Sequence, residues 1–481
     1  MKSIVAERKI MDFKEVLFKF ENKYSFLYEL EVNGVPFYTC HRDVVLRILI
    51  DGEKNSSSAY KNKKGRVYFF RFLEGVIKLR KFRKRKTLIF TSSMYRRDDG
   101  RNLAAEFLMD HYDDAVIYEW PSRNNNYDVA YFRDKKRAQY CPLDIYIVFY
   151  KLYRILHKHD LKTKEQEYRK EIEKRLDKIC IENTNNEKLA LAYLIRELPK
   201  SYVEIGISQE IFSKIFRKYK NIHRAIDFWG SARENIIPVL PGKPESIELQ
   251  HGIITNYHTG YIYPVCANRK CNSFFERKIL VYGNRTKNLL TNESIFKVEN
   301  VEIIGNPRIA EYKKEYVKQD KGRNLILFCS QPFEQDGRAN NYYETVIPIL
   351  NTLEEVVRKE KLNLNIGIKL HPRENNGVKE LYMKKLQNVT VFDNTSQLYD
   401  LLSYTFVQIT VNSTTLYEAA AFETPTVTIS FNGINMKNEY GFDVWEIKRL
   451  SDVKEYLDLL SNKEEYSKYL NYLKENSLLY M

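Results

Sequence analysis

No window of this 481-residue chain approaches the roughly 20 consecutive apolar residues of a spanning helix, so no transmembrane segment is expected. The opening MKSIVAERKIMDFKEV lacks the uninterrupted apolar core of a secretory signal, and the expected place of action is the cytoplasm. Cys40, Cys141, Cys180, Cys266, Cys271 and Cys329 are scattered, and only Cys266 and Cys271 are close. No His–Cys spacing completes a zinc pattern, so free thiols in a reducing compartment are expected. A Walker lysine motif is absent, as is a complete dinucleotide fingerprint after a first strand, which disfavours ATP hydrolysis and NAD chemistry. No Asp-x-Asp stands at a strand end. The expectation is therefore no metal and no cofactor. No fixed-period repeat marks a solenoid.

What is present is an ordinary globular composition, 43 % hydrophobic and 29 % charged, with a formal net charge of +15. The densest basic run is Lys78–Lys86, KLRKFRKRK. It reads either as a solvated helix end or as a peripheral contact with lipid phosphates at the inner face of the membrane, where each Lys or Arg contributes about 1 kcal/mol. No nucleic-acid recognition motif accompanies the charge, so nucleic acid is not an expected partner. A single core rarely exceeds roughly 250–300 residues, so two domains are expected.

Compact apolar runs alternate with helical stretches. Thr87–Thr91, Ala115–Tyr118, Ser246–Leu249, Ile279–Tyr282 and Val301–Ile304 read as buried strands, as do Leu325–Cys329, Leu364–Leu370, Val389–Phe392, Val407–Thr410 and Thr426–Ile429. This pattern predicts parallel sheets and an α/β fold, GT-B-like, with two Rossmann-like domains facing a cleft. The expected division is 1–265, an acceptor-side domain whose segment 1–86 is mostly helical, then 266–455, a donor domain, then helices over 456–481. A long helical stretch is expected over about 143–195.

In open α/β sheets ligands sit beyond the carboxyl ends of the strands, so the residues there are the candidates. His371 follows its strand directly, Pro372 fixes the turn, and the imidazole suits a phosphate donor or a general acid. Asn412, Ser413 and Thr414 lie between a strand and a helix bearing Glu418. Hydroxyls and backbone N–H groups there suit an anion, or an ordinary helix cap; Glu418 suits a sugar or ribose hydroxyl. Gly305, at the end of another strand, joins the donor-binding set. In the first half Gln250, His251 and Gly252 close a strand and open a polar, aromatic loop, with Gln250 and Gly252 as candidate acceptor-binding residues and His251 as a ligand-facing residue. After the strand 87–91, Arg96 and Arg97 suit an anionic acceptor, and Asp98 or Asp99 suits a catalytic base, with His251 as the rival. The stretch Asp98-Asp99-Gly100 reads equally as a surface turn.

Several of these segments resemble bacterial surface-polysaccharide glycosyltransferases: VNGVPFYTCHRDVVLRILI at 32–50, ELQHGIITNYHTGYIYP at 248–264, LVYGN at 280–284 and IIGNPRI at 303–309. KLHP at 369–372 and VNSTTLYEAAAFETPTVTI at 411–429 resemble the His-Pro and Ser-Ser/Thr motifs of bacterial sialyltransferases and polysialyltransferases. Asp98-Asp99-Gly100 looks like the acidic motif that supplies their base. The same layout is similar to CDP-glycerol glycerophosphotransferases, although Gln250 stands where those have Trp before His-Gly. The resemblance implies a CMP- or other nucleotide-linked donor, its phosphate near His371 and the hydroxyls, and a glycan or lipid-linked acceptor in capsule or lipopolysaccharide synthesis. The alternatives are transfer of a phosphoryl-alcohol and a non-enzymatic role in polysaccharide assembly.

Overall fold

The structure, a computed structural model, describes residues 13–478 apart from 53–64, 98, 122–124, 180–181, 229–230, 257, 269–271, 316–321, 336–338, 394–395, 432–436 and 438–439. The chain divides into two compact units, 1–281 with 287–303, and 282–286 with 304–481. Each is built on one parallel sheet.

The first unit begins with a two-stranded hairpin, β1 (Glu31–Val32) and β2 (Val35–Pro36). Its turn residues Asn33 and Gly34 have φ of 49° and 78°, the left-handed pair that two-residue hairpins require. The main sheet holds β3 (Thr87–Ser92), β4 (Ala115–Trp120), β5 (Tyr140–Pro142), β6 (Arg224–Asp227), β7 (Glu245–Leu249), β8 (Lys278–Val281) and β9 (Val301–Ile303). Its order is β5-β4-β3-β6-β7-β8-β9, all parallel. The chain starts in the middle, works to one edge, then returns to the other side of β3, so the switch point lies between β3 and β6. Every residue of β3 is buried, because helices cover both faces.

The second unit holds β10 (Leu325–Cys329), β11 (Asn365–Lys369), β12 (Val389–Phe392), β13 (Thr405–Thr410), β14 (Thr426–Ile429) and β15 (Glu446–Ile447). Its order, β12-β11-β10-β13-β14-β15, repeats the same winding, with the switch point between β10 and β13. Both units are thus Rossmann-like, and two such units in one chain are the make-up of the GT-B class.

The first sheet runs on to Ile303, well past the division expected at 265/266. The reason is pairing: β8 and β9 extend the ladder outward from β7. The expected long helical region resolves into Ile145–Leu156, Lys158–Leu176 and Asn185–Phe216. The last of these reaches past 195 and starts on a Thr184/Glu187 capping box. The C-terminal helices are Leu450–Ser461 and Lys463–Leu478. The second of these packs on the helix Thr415–Ala421 and fixes β14 through Tyr469, whose hydroxyl donates to the Thr426 carbonyl at 2.7 Å.

Candidate functional site

In the second unit the register places the candidates. Cys329, Lys369 and Thr410 are paired across β11, β10 and β13. Two residues further on, at one level beyond the sheet, come Gln331, His371 and Asn412. His371 and Asn412 do not follow neighbouring strands, as consecutive candidates in the chain suggest. β10 lies between them, so their strand ends are roughly 10 Å apart. The loop after β10 therefore occupies the middle of the site.

That loop is built around Gln331. Its Oε1 accepts from the Asn412 backbone N–H at 2.8 Å, and its amide nitrogen donates to the Asn412 carbonyl. The side chain stitches the two loops across the switch point. Ser330 donates to the buried Glu374 carboxylate at 2.8 Å, and Tyr343 donates to it at 2.9 Å. Glu374 in turn accepts from the His371 N–H at 2.6 Å, while its own N–H donates to the His371 carbonyl at 2.9 Å. Burial raises the Glu374 carboxyl above its ordinary range, against the pull of those three donors.

The His371 ring has a defined tautomer. The Arg373 backbone N–H points at Nδ1 from 3.1 Å. A backbone N–H only donates, so Nδ1 accepts and the proton of the neutral ring sits on Nε2. His371 presents an N–H donor. Pro372 and Arg373 are exposed beside it.

Ser413 is likewise set up to donate. Gln408, buried in β13, gives an amide proton to Thr415 Oγ1 and accepts from Thr426 Oγ1 at 2.9 Å. Thr415 Oγ1 then donates to Ser413 Oγ at 3.0 Å, and the Thr415 N–H reaches the same oxygen at 3.3 Å. With its oxygen receiving two donors, Ser413 has its own proton to offer.

The backbone here departs from expectation. The Asn412 N–H is taken by Gln331, the Ser413 N–H by the Tyr440 hydroxyl at 2.8 Å, and the Thr415 N–H by Ser413. Three of the turn's amides are thus engaged within the protein, so an anion there would meet mainly side-chain donors and the Thr414 N–H, with Thr414 exposed at the helix start. Glu418 accepts from Tyr399 at 2.8 Å and pairs with Arg308 at 3.7 Å. It ties its helix to the helix Pro307–Glu315. Gly305, at φ 79°, turns the chain into that helix just before its cap, Asn306.

In the first unit, Gln250 is fully buried and extends the ladder from β7, its N–H bonding Leu280 O at 2.9 Å. Its amide bonds Gly252 O at 2.7 Å, which shapes the loop under His251. Gln250 is therefore placed as a loop brace, not as an acceptor ligand. A short chain of bonds runs from here into the core. Arg233 and Arg277 reach Glu248 at 3.0 and 2.5 Å. Burial alone would raise this carboxyl, but the two guanidinium groups and Tyr261 hold it well below the usual range. Being ionised, it only accepts, and Tyr261 donates to it at 2.7 Å. The Tyr261 proton is thereby committed. The contact between Tyr261 Oη and His251 Nδ1, at 3.4 Å, then has the histidine as donor. In the neutral ring this contact puts the proton on Nδ1 and leaves the lone pair on Nε2. His251 and His371 hold opposite tautomers. Nearby His258 is lowered to about 4, first by burial and then by His251, and is neutral.

The Arg96–Arg101 segment reads differently in three dimensions. Arg96 is buried, bonded to Glu119 at 2.5 Å and to Asp134 at 2.8 Å, and stacked over Tyr140 at 4.2 Å. It is part of the core, so the expected acceptor contact is corrected: no side-chain donor of Arg96 faces out. Arg97 pairs with Asp99 at 3.2 Å across a tight turn closed by Arg97 N–H to Arg101 O at 2.8 Å. Asp99 accepts from the Arg101 N–H at 3.0 Å. Asp98 lies outside the described residues. Gly100 has φ 90°, and a Cβ there would stand 2.2 Å from the Ala130 carbonyl oxygen. Gly100→Ala is expected to cost about 2 kcal/mol or more, read as a lower thermal midpoint.

No family model and no curated protein sequence matches the chain. Solved structures do. The UDP-GlcNAc 2-epimerase from Neisseria meningitidis bound to UDP-GlcNAc covers 81 % of this chain and 96 % of its own, at 13 % identity and a TM-score of 0.48. The wall teichoic acid polymerase TagF covers 86 % and 93 %, at 11 % identity and 0.44. A glycosyltransferase from Rickettsia africae covers 82 % and 94 %, at 10 % identity and 0.42. These are likenesses of layout and carry nothing about chemistry.

Sequence reasoning missed Gln331, Glu374, Gln408 and Tyr261. Their role is to direct protons and loops. Only Gln331 stood at a strand end where the rule about carboxyl edges would have found it.

Proposed function

We propose that the chain transfers a sugar from a nucleotide-activated donor to a glycan or lipid-linked acceptor of a bacterial surface polysaccharide. The observation that supports this best is the Gln408–Thr415–Ser413 relay, which leaves Ser413 with a hydroxyl proton to donate at the same level beyond the sheet as His371. Two neutral donors at the carboxyl edge of a parallel sheet, by its switch point, suit the oxygens of a donor phosphate. The sugar–phosphate bond breaks with its electron pair passing to a phosphate oxygen. Ser413, Thr414 and His371 stabilise the charge that develops there. The acceptor hydroxyl forms the new bond to the sugar carbon and gives its proton to Nε2 of His251.

A thermal-shift screen with CMP, CDP, UDP and GDP and their sugar-linked forms tests the reading. One nucleotide series is expected to raise the midpoint by about 5 °C at saturation. His371→Ala is expected to lose at least half of that rise with its ligand-free midpoint unchanged. The absence of any shift with every nucleotide would overturn the reading. Turnover with a CDP-alcohol, and with no nucleotide sugar, would move it to phosphoryl-alcohol transfer.

A further inference from the structure

Two helices of the first unit carry apolar faces that the core does not use. The helix Gly65–Lys81 turns Arg71, Gly75, Lys78 and Leu79 inward. Its opposite side shows Phe69 and Phe70, each 58 % exposed, Leu73, and Ile77 at 67 %. The helix Ile145–Leu156 anchors itself through Ile145 and Tyr146, yet exposes Val148, Phe149, Leu152, Ile155 at 73 % and Leu156 at 76 %. Both sets recur at three- and four-residue spacing, so each forms a stripe along its helix. The two helices touch. Nine large apolar side chains on neighbouring helices go beyond the scattered exposure of an ordinary surface.

Exposed basic residues border these stripes, while the carboxylates beside the second helix, Glu204 and Glu210, are paired with Arg154 and Lys214. Arg80, Lys81, Lys84 and Lys86 are exposed where the first helix ends. Lys151 lies on the second helix, and Lys158 follows it, both exposed. The nearest acid on the first helix, Glu74, is occupied by Lys78 at 2.7 Å and Arg137 at 3.3 Å. Lys78 itself is buried and bonded to Tyr131 at 3.2 Å, so the expected contact through the whole run Lys78–Lys86 loses that member. None of the helices among the described residues is long and apolar enough to cross a membrane.

We propose that this face docks on an anionic lipid bilayer, the two apolar stripes lying in the headgroup layer and the lysines and arginines meeting lipid phosphates. An apolar stripe with a basic border is the pattern of an interfacial helix, which embeds about 5–10 Å without spanning. Basic groups alone would bind by charge and release in salt. Apolar stripes alone would suit another protein surface equally well. Their combination selects an anionic membrane. This inference does not depend on the transferase reading.

The test is flotation of the full chain with phosphatidylcholine vesicles and with phosphatidylcholine–phosphatidylglycerol vesicles. Binding is expected on the anionic vesicles and weak on the neutral ones. The triple variant I77Q/I155Q/L156Q is expected to lose on the order of a hundredfold in partitioning. K81Q/K84Q is expected to lose severalfold and to become less sensitive to salt. Should the triple variant lose its cooperative unfolding, the single variants I155Q and L156Q, at the two most exposed large apolar positions on that helix, take its place. Equal partitioning of wild type and apolar variants, or no vesicle binding, overturns the proposal. So does a wild-type dimer in light scattering that the apolar variant turns into a monomer, since a second copy would then be the occupant. The nucleotide-induced thermal shift of each variant should equal that of wild type, whether or not the transferase reading holds.

Discussion

His251→Ala is expected to slow group transfer by roughly 10²–10⁴-fold, the contribution of a positioned general base, while leaving the thermal midpoint nearly unchanged. The expectation rests on proton placement. Glu248 is held ionised by Arg233 and Arg277, so it accepts a hydrogen bond from the Tyr261 hydroxyl. Tyr261 therefore accepts from the Nδ1–H of the neutral His251 ring, which leaves the lone pair on Nε2. Tyr261→Phe removes the acceptor that selects this tautomer. A loss of roughly tenfold is expected there, with the acid limb of the pH–rate profile displaced. Asp99→Asn should be nearly neutral, because that carboxylate is spent on the Arg97 pair and the Arg101 N–H. A large loss in Asp99→Asn with normal turnover in His251→Ala would transfer the role of base to the Arg97–Arg101 turn.

The second large effect is on stability. Glu119, at the end of β4, is fully buried between two arginines: Oε1 meets Arg71 at 2.7 Å and Oε2 meets Arg96 at 2.5 Å. Arg71 also holds Asp144 at 3.0 Å, and Arg96 holds Asp134 at 2.8 Å. Glu119→Ala is expected to cost about 3–5 kcal/mol, measured by denaturant unfolding of the first unit. The two guanidinium groups remain charged and buried, because arginine does not discharge in proteins. Arg71→Met should cost less near pH 6. Asp144 is already raised to about 7, first by burial, with Arg71 opposing and Asp128 adding, so it can take up a proton and become neutral.

The sign of the pH dependence follows from the same group. In the unfolded chain an aspartate titrates near 3.9. Between about pH 4 and pH 7 the folded state keeps a proton that the unfolded state has released, so stability from this residue falls as pH rises through that window. Asp144→Asn is expected to remove that slope. Glu248 works in the opposite direction. Its depressed carboxyl contributes stability above its unfolded value, and that contribution is lost as the solution becomes acidic below about pH 4.5.

The strands that the sequence displayed most clearly were those buried on both faces. The Leu-Ile-Phe centre of TLIFTS and the whole of LILFC are uninterrupted apolar runs because helices cover each side of β3 and β10. β6 and β15 were missed for the converse reason. β6 is four residues, Arg-Ala-Ile-Asp, and β15 is two, too short for any periodicity. The domain division was missed because β8 and β9 look like any other strands; only their pairing with β7 assigns them to the first sheet.

The candidate site divides along the same line. By itself the sequence determined that His371, Ser413 and His251 would stand at the carboxyl ends of parallel strands. An apolar run followed by polar residues reports a strand end locally, whatever its neighbours. It could not determine that β10 separates β11 from β13, which brings Gln331 to the centre of the donor loops. Nor could it show that Arg96 belongs to the core. Strand order and the partners of a buried charge depend on contacts across dozens to hundreds of residues. The protons follow from those contacts as well. Arg373 decides the tautomer of His371, and Glu248 decides that of His251 through Tyr261. Only the tertiary structure brings those groups within hydrogen-bonding distance.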